Sequence, residues 1–285
     1  MSMYLSRRGI LAGGAAALAV SALRPGFAFA RDAAHPPAGV QLYTVRAEMA
    51  KDVPGTLKRI AEIGFGEVEF AGYFDRKPDE IKRIVADLGM TAPSSHVTAL
   101  TARDDPMPLI EAAKIAGHEF LVVAWTPPET RQTIDDWKAW ADVCNRFAGQ
   151  CKTAGIRFAY HNHNFEFEPI GGVVPYDVML SRTDPALVQF ELDMYWAKKG
   201  GGDLVNILSN HRGRIPLCHV KDMDKAGAMA DVGDGIIDFK AIFADPAIAP
   251  FEHYFYERDD APVPFDSAVR SYKGLTEILA TLPRR

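Results

Sequence analysis

Residues 157–166 read Arg-Phe-Ala-Tyr-His-Asn-His-Asn-Phe-Glu, an apolar run that ends in polar groups. The preceding Gly155 closes a long helical pattern over Ile134–Thr153, as a glycine past a helix C-terminus does. The run therefore predicts a strand over Arg157–His163 whose chemistry stands at its carboxyl end. Side chains alternate along a strand, so His161 and His163 share one face. The same pattern repeats in both directions. Upstream, strands are expected over Gly39–Thr44, Glu67–Phe70, Met90–His96 and Phe120–Ala124, separated by helices over Val53–Ile63, Pro78–Leu88 and Met107–Ile115. Downstream, Pro175–Ser181, Leu204–His211, Phe239–Phe243 and Ala268–Leu282 read as helices, and Val188–Asp193, Ile215–Lys221 and His253–Glu257 as strands.

Eight strands in strict alternation with eight helices imply right-handed crossovers and a parallel sheet. Residues 39–285 match the size of a closed (β/α)₈ TIM barrel, about 250 residues, as a single domain. The alternative is an open doubly wound sheet, which carries a glycine-rich phosphate turn after its first strand. Here the first strand runs into Thr44-Val45-Arg46-Ala47, with no GxGxxG and no Walker motif.

In a barrel of this kind the chemistry sits at the carboxyl ends of the strands. In chain order those ends carry Gln41, Glu69, His96, Trp125, His161 with His163, Asp193, His219 with Lys221, and Glu257. Burying such charges unpaired costs several kcal/mol each, and a cation that takes imidazole nitrogen and carboxylate oxygen removes that cost. His161, Asp193, His219 and Glu257 come from four successive strands and are the expected ligands of one divalent metal ion, with Mn, Mg, Co and Zn all compatible. Two carboxylates would leave that site near neutral, suited to an uncharged polyol. His163 and Lys221, each two residues beyond a ligand, are the candidates for proton transfer and charge stabilisation. Gln41, Glu69, His96 and Trp196 are candidate substrate contacts, and Glu166, just past the fifth strand, is a further candidate ligand, base or substrate contact.

Gly39–Thr44, Tyr160–Phe167, Glu191–Trp196, His219–Asp222 and the loop Asp231-Val232-Gly233-Asp234-Gly235 together resemble the sugar phosphate isomerase/epimerase family of xylose isomerase-like TIM barrels. The resemblance implies one or two divalent metals held at strands five to eight, on His161, Asp193, His219 and Glu257. It implies an α-proton removed through an enediolate, with Glu257 as a catalytic base. Epimerases of the family carry Glu where this chain has His161, so the pattern leans away from a two-carboxylate epimerase and towards isomerisation or elimination. The expected activity is that of a metal-dependent isomerase, epimerase or related eliminase acting on a hydroxy-carbonyl sugar, a keto-sugar or a glycoside derivative. The rivals are a metal-dependent hydrolase of the endonuclease type and a non-catalytic sugar-binding barrel.

Residues 1–30 differ in kind. Ser6-Arg7-Arg8 precede an apolar stretch, Ile10–Leu23, and Ala28-Phe29-Ala30 offers a signal-peptidase site. This predicts a cleavable twin-arginine signal peptide, a tether over 31–38, a periplasmic or otherwise exported mature protein, and no membrane span after processing. The net charge of −5 and the lack of a basic stripe exclude a nucleic-acid partner. A small-molecule sugar is the expected partner, and a homo-oligomer is compatible with the sequence. Cys144, Cys151 and Cys218 show no zinc spacing and read as structural thiols.

Overall fold

The computed structural model describes residues 35–282. Its elements run β1 (Ala38–Gln41), α1 (Arg46–Met49), α2 (Val53–Ile63), β2 (Glu67–Phe70), α3 (Pro78–Asp87), β3 (Thr91–Val97), α4 (Ala99–Asp104), α5 (Met107–Ala116), β4 (Phe120–Val123), α6 (Ile134–Thr153) and β5 (Arg157–His161). The second half continues with α7 (Pro175–Arg182), β6 (Val188–Asp193), α8 (Met194–Lys199), α9 (Leu204–Asn210), β7 (Leu217–Val220), a hairpin of β8 (Asp222–Met223) and β9 (Met229–Ala230), α10 (Phe239–Phe243), β10 (His253–Tyr256) and α11 (Pro264–Leu279). Eight strands close in the order β1-β10-β7-β6-β5-β4-β3-β2. The pairing of β1 with β10, Ala38 opposite Tyr254, is parallel and joins the ends of the sheet, so the open alternative is excluded.

The barrel interior is layered, because every second residue of a strand faces inward. At the amino-terminal end the His253 ring contacts Glu67 at 2.8 Å. Above them Phe120, Val122, Ala159, Leu217 and Phe255 form a dry plug, all fully buried. Gly39 belongs to this layer for a steric reason. A Cβ there would lie 2.5 Å from Phe255 Cδ1. The next inward positions towards the carboxyl ends are Gln41, Glu69, His96, His161, Glu191 and His219, so the polar residues form one layer resting on the plug. The outward residues, among them Val40, Val68, Leu121, Tyr160, Phe190 and Val220, pack against the helices.

Three short helices, α1, α4 and α8, were not expected. Each has four or six residues, too few for a helical period to show. The first strand stops at Gln41 rather than Thr44, because the Gln41 side chain accepts the Tyr43 N–H and starts a 3₁₀ turn over Leu42–Val45. β5 ends at His161, so His163 stands on the following loop. The expected signal peptide at 1–30 lies outside the described residues, as does the tether up to residue 34, and the first strand begins at Ala38. Among the described residues no helix is long and apolar enough to cross a membrane. The three cysteines are free and buried.

Candidate active site

The polar layer is held together by its own charges. Glu69 Oε2 accepts from Gln41 Nε2 at 2.8 Å and faces His219 Nε2 at 2.7 Å, while its Oε1 accepts from Ser94 Oγ at 2.6 Å. Glu191 Oε2 gathers three imidazoles: His96 Nε2 at 2.8 Å, His161 Nδ1 at 3.1 Å and His219 Nε2 at 3.2 Å. The other nitrogen of His219 turns the opposite way, 2.9 Å from Glu257 Oε2 and 3.7 Å from Asp193 Oδ2. On that side Lys221 Nζ lies 2.7 Å from Glu257, 3.1 Å from Asp193 and 3.1 Å from Asp259. Asp193 is also the N-cap of α8, its Oδ1 accepting the Trp196 N–H at 2.8 Å, which fixes the carboxylate at the strand end.

Burial sets the protonation states, and the neighbours decide its direction. Burial would push the His96 imidazole down, but Glu69 and Glu191 overcome it and raise it to about 10. The same contest holds the Lys221 ammonium, where burial is outweighed by Asp193, Glu257 and Asp259. Burial would raise the Glu69 carboxyl, yet His96 and His219 bring it well below the usual range. His163 has no carboxylate on its ring, and burial with the nearby Lys221 lowers it to about 4, a neutral imidazole. Asp259 rises to about 6 through burial and the adjacent Glu257.

The structure brings most of the expected residues together, but not as a single set of four. Asp193, His219 and Glu257 present ligand atoms within 4.8 Å of one another, and so do His96, His161, Glu191 and His219. His219 belongs to both groups through opposite nitrogens, so His161 stands with Glu191 rather than with Asp193 and Glu257. The layer is also richer in carboxylates than the two expected. Glu69, Glu191, Asp193 and Glu257 are all buried in it. Lys221 sits on the Glu257 side, and Trp196 covers it, the ammonium 5.4 Å from the indole centroid. The His163 ring lies 5.6 Å from Trp196 and 5.0 Å from His161. Gln41 is fully buried and holds Glu69. Glu166 stands apart: its oxygens accept from Tyr160 Oη and from the His163 backbone N–H, each at 2.8 Å, so it shapes the loop that carries His163. Glu191 and Asp259 were missed as site residues. The alternation Glu191-Leu192-Asp193 was the available signal, since it places both carboxylates on the inward face. Glu191 Oε1, His163 Nδ1 and Trp196 Nε1 are buried polar atoms of this end without a hydrogen-bond partner, and Asp193 Oδ2 also lacks one but is ion-paired with Lys221.

The model of the xylose isomerase-like TIM barrel family matches residues 57–245. The chain belongs to this family. Among curated proteins, this xylose isomerase-like barrel is 28% identical over 167 residues to an inosose dehydratase of Geobacillus thermodenitrificans, an alignment covering 51% of this chain and 55% of that protein. An inosose dehydratase of Clostridium perfringens is 27% identical over 169 residues, covering 50% and 55%. The chain thus spans about half the length of these curated relatives. A solved sugar phosphate isomerase/epimerase of Parabacteroides distasonis superposes with a TM-score of 0.73 at 25% identity, covering 90% of this barrel and all of that chain. The names of these relatives describe a dehydratase of inosose and an isomerase/epimerase of sugar phosphates, and this barrel shares their fold and carries clusters of His, Glu and Asp able to take a metal.

Proposed function

We propose that this barrel eliminates water from a hydroxy-carbonyl sugar or a cyclic polyol ketone, a lyase-type reaction that starts with removal of the α-proton. The observation that carries the reading is His163: a half-buried, neutral imidazole with a buried, unpartnered Nδ1, at the same end as a buried ammonium. One base beside one cationic acid suits elimination better than a pair of opposed bases. The dehydratase relatives support the same choice.

His163 takes the proton from the carbon next to the carbonyl, and the C–H electron pair becomes the new C=C bond. Lys221 offsets the negative charge that develops on the substrate oxygens, and the leaving β-hydroxyl takes a proton from the Lys221–Asp259 pair and departs as water. Glu191 and Glu69 keep His96 charged, and Glu69 orients His219 within the polar layer. A divalent cation fits this end, because Asp193, His219 and Glu257 form a mixed nitrogen and oxygen set with converging atoms, and Glu191 Oε1 lacks a partner. Asp193, His219 and Glu257 would hold it, with the His96–His161–Glu191 group beside them. A bound cation supplies a Lewis acid that polarises the carbonyl and makes the α-proton easier to remove. Export by way of residues 1–30 is part of the same proposal, and fractionation of cells expressing the full chain checks it.

The test incubates the protein in D₂O with an inosose and with neutral keto-sugars and follows solvent exchange at the α-carbon and loss of water. His163→Ala is expected to lower turnover roughly 10²–10⁴-fold. A His163→Ala variant with full activity overturns the assignment. Isomerisation or epimerisation is the second reading, favoured by the description of the Parabacteroides protein. It leaves product mass unchanged, whereas elimination lowers it by one water.

A further inference from the structure

The barrel mouth continues sideways into a cavity of about 400 Å³ between the ends of β1 to β4 and helix α5. Its walls are apolar: Tyr73, Val97, Leu109 and Leu121 line it, and Tyr43 and Trp125 flank it. No Lys, Arg, Asp or Glu lines it, although the adjoining layer is dense in charge. His96 lines the cavity while its Nε2 contacts Glu191 and Glu69, so the cavity opens directly onto the proposed reaction centre. The two flanking aromatics keep 44% (Tyr43) and 47% (Trp125) of their surface open to solvent. Tyr43 is nonetheless held in place. The Arg46 guanidinium lies 4.2 Å from its ring centroid and donates to the Tyr43 and Asp259 carbonyl oxygens at 2.9 and 3.1 Å. The volume falls in the range of small-molecule sites, about 300–1,000 Å³, and an open, braced aromatic face is what a flat ring stacks on.

We propose that this cavity is a second subsite that receives an uncharged, apolar arm of aromatic size carried by the sugar, so that the substrate is a glycoside-like compound rather than a free or phosphorylated sugar. The inference rests on the sugar-eliminating reading of the polar layer. A phosphate or carboxylate arm would meet only the His96 imidazolium, whose Nε2 is already taken by Glu191 and Glu69, and a bare sugar would leave the apolar walls wet. The sugar ring lies over His163 and Lys221, and the arm passes His96 to rest between Tyr43 and Trp125.

The test is binding calorimetry on the whole protein with phenyl and methyl β-D-glucopyranoside as probes, beside the inosose turnover assay. The phenyl glycoside is expected to bind about tenfold more tightly or better, from the apolar area it removes from water. Trp125→Ala removes one flanking face, and Ala112→Phe fills the cavity from α5. In both variants the two glycosides are expected to bind alike, with melting curves showing that the fold is kept. Equal affinity in the wild type overturns the subsite and leaves the eliminase reading intact. A phenyl preference that survives both variants places the arm elsewhere and overturns the subsite too. If neither glycoside binds while inosose turns over, the inference fails alone; if inosose is also untouched, both fail.

Discussion

Glu166 holds its proton further up the pH scale than a surface glutamate. Full burial raises the carboxyl from 4.5 to about 7, against the opposing hydrogen bonds from Tyr160 and the His163 backbone. Between those two values the folded protein keeps a proton that the unfolded chain has lost. Stability from this group is therefore complete below pH 4.5, declines as pH rises, and is gone once pH has passed about 7. At 1.36 kcal/mol per pH unit the loss is about 3 kcal/mol. Glu166→Gln keeps the shape and removes the titration, so its melting temperature should change less between pH 5 and 8 than that of the wild type. Parallel curves for the two proteins would count against the assignment. The split at His219 gives a second expectation at this scale. Asp193→Ala and Glu257→Ala should lower bound metal several-fold after dialysis against manganese or zinc, and His161→Ala should lower it less, because its nitrogen converges with Glu191 instead. Elemental analysis reads this directly, and equal losses in all three variants would favour a single four-ligand site.

At the scale of elements, the strands were legible because their apolar runs are bounded by glycine, proline and helical periods, and the alternation of eight such units leaves few folds. The convergence of candidate residues at strand ends, such as Asp193, His219 and Lys221, was legible for the same reason. What was hidden depends on contacts far apart in sequence. The pairing of Glu69 with His219, 150 residues away, and of Lys221 with Asp259 is set by barrel closure, which no local pattern reports. The loop after β7 is a further case. Asp222 accepts backbone N–H groups from Gly233 and Gly235 at 3.0 Å and from Ile237 at 3.2 Å, so one buried carboxylate holds the glycine loop beside Lys221. A Cβ on Gly235 would lie within the van der Waals radius of that carboxylate, which explains the glycine there. Asp222→Ala strands several N–H groups in a buried turn, each costing about 1–3 kcal/mol. The expected result is a loss of at least about 2 kcal/mol in urea unfolding, together with lower turnover as Lys221 loses its backing. Unaltered unfolding would mean that the loop is held by something other than this side chain.

At the scale of the molecule, the barrel keeps charges at both ends apart by a plug of five buried side chains. Phe255 is the piece that touches both ends: its ring is 6.3 Å from His219 above and 6.1 Å from His253 below. Removing it with Phe255→Ala opens a void between two polar layers and should cost about 3–5 kcal/mol. Gly39→Ala should also destabilise, by about 1–3 kcal/mol, because its new methyl meets that same ring at 2.5 Å. The two changes are complementary in volume, since the cavity left by one is the space the other needs. Two substitutions that share a contact do not add, so the double variant should be more stable than the sum of the single losses predicts, by about 1 kcal/mol or more. The Tyr254 carbonyl, 2.9 Å from the same Cβ position, limits how much is recovered. Denaturant unfolding of the four proteins measures the coupling. Additivity within about 0.5 kcal/mol would mean that the glycine is required by the backbone and not by the ring, and the plug would lose its place as the spacer on which the polar layer rests.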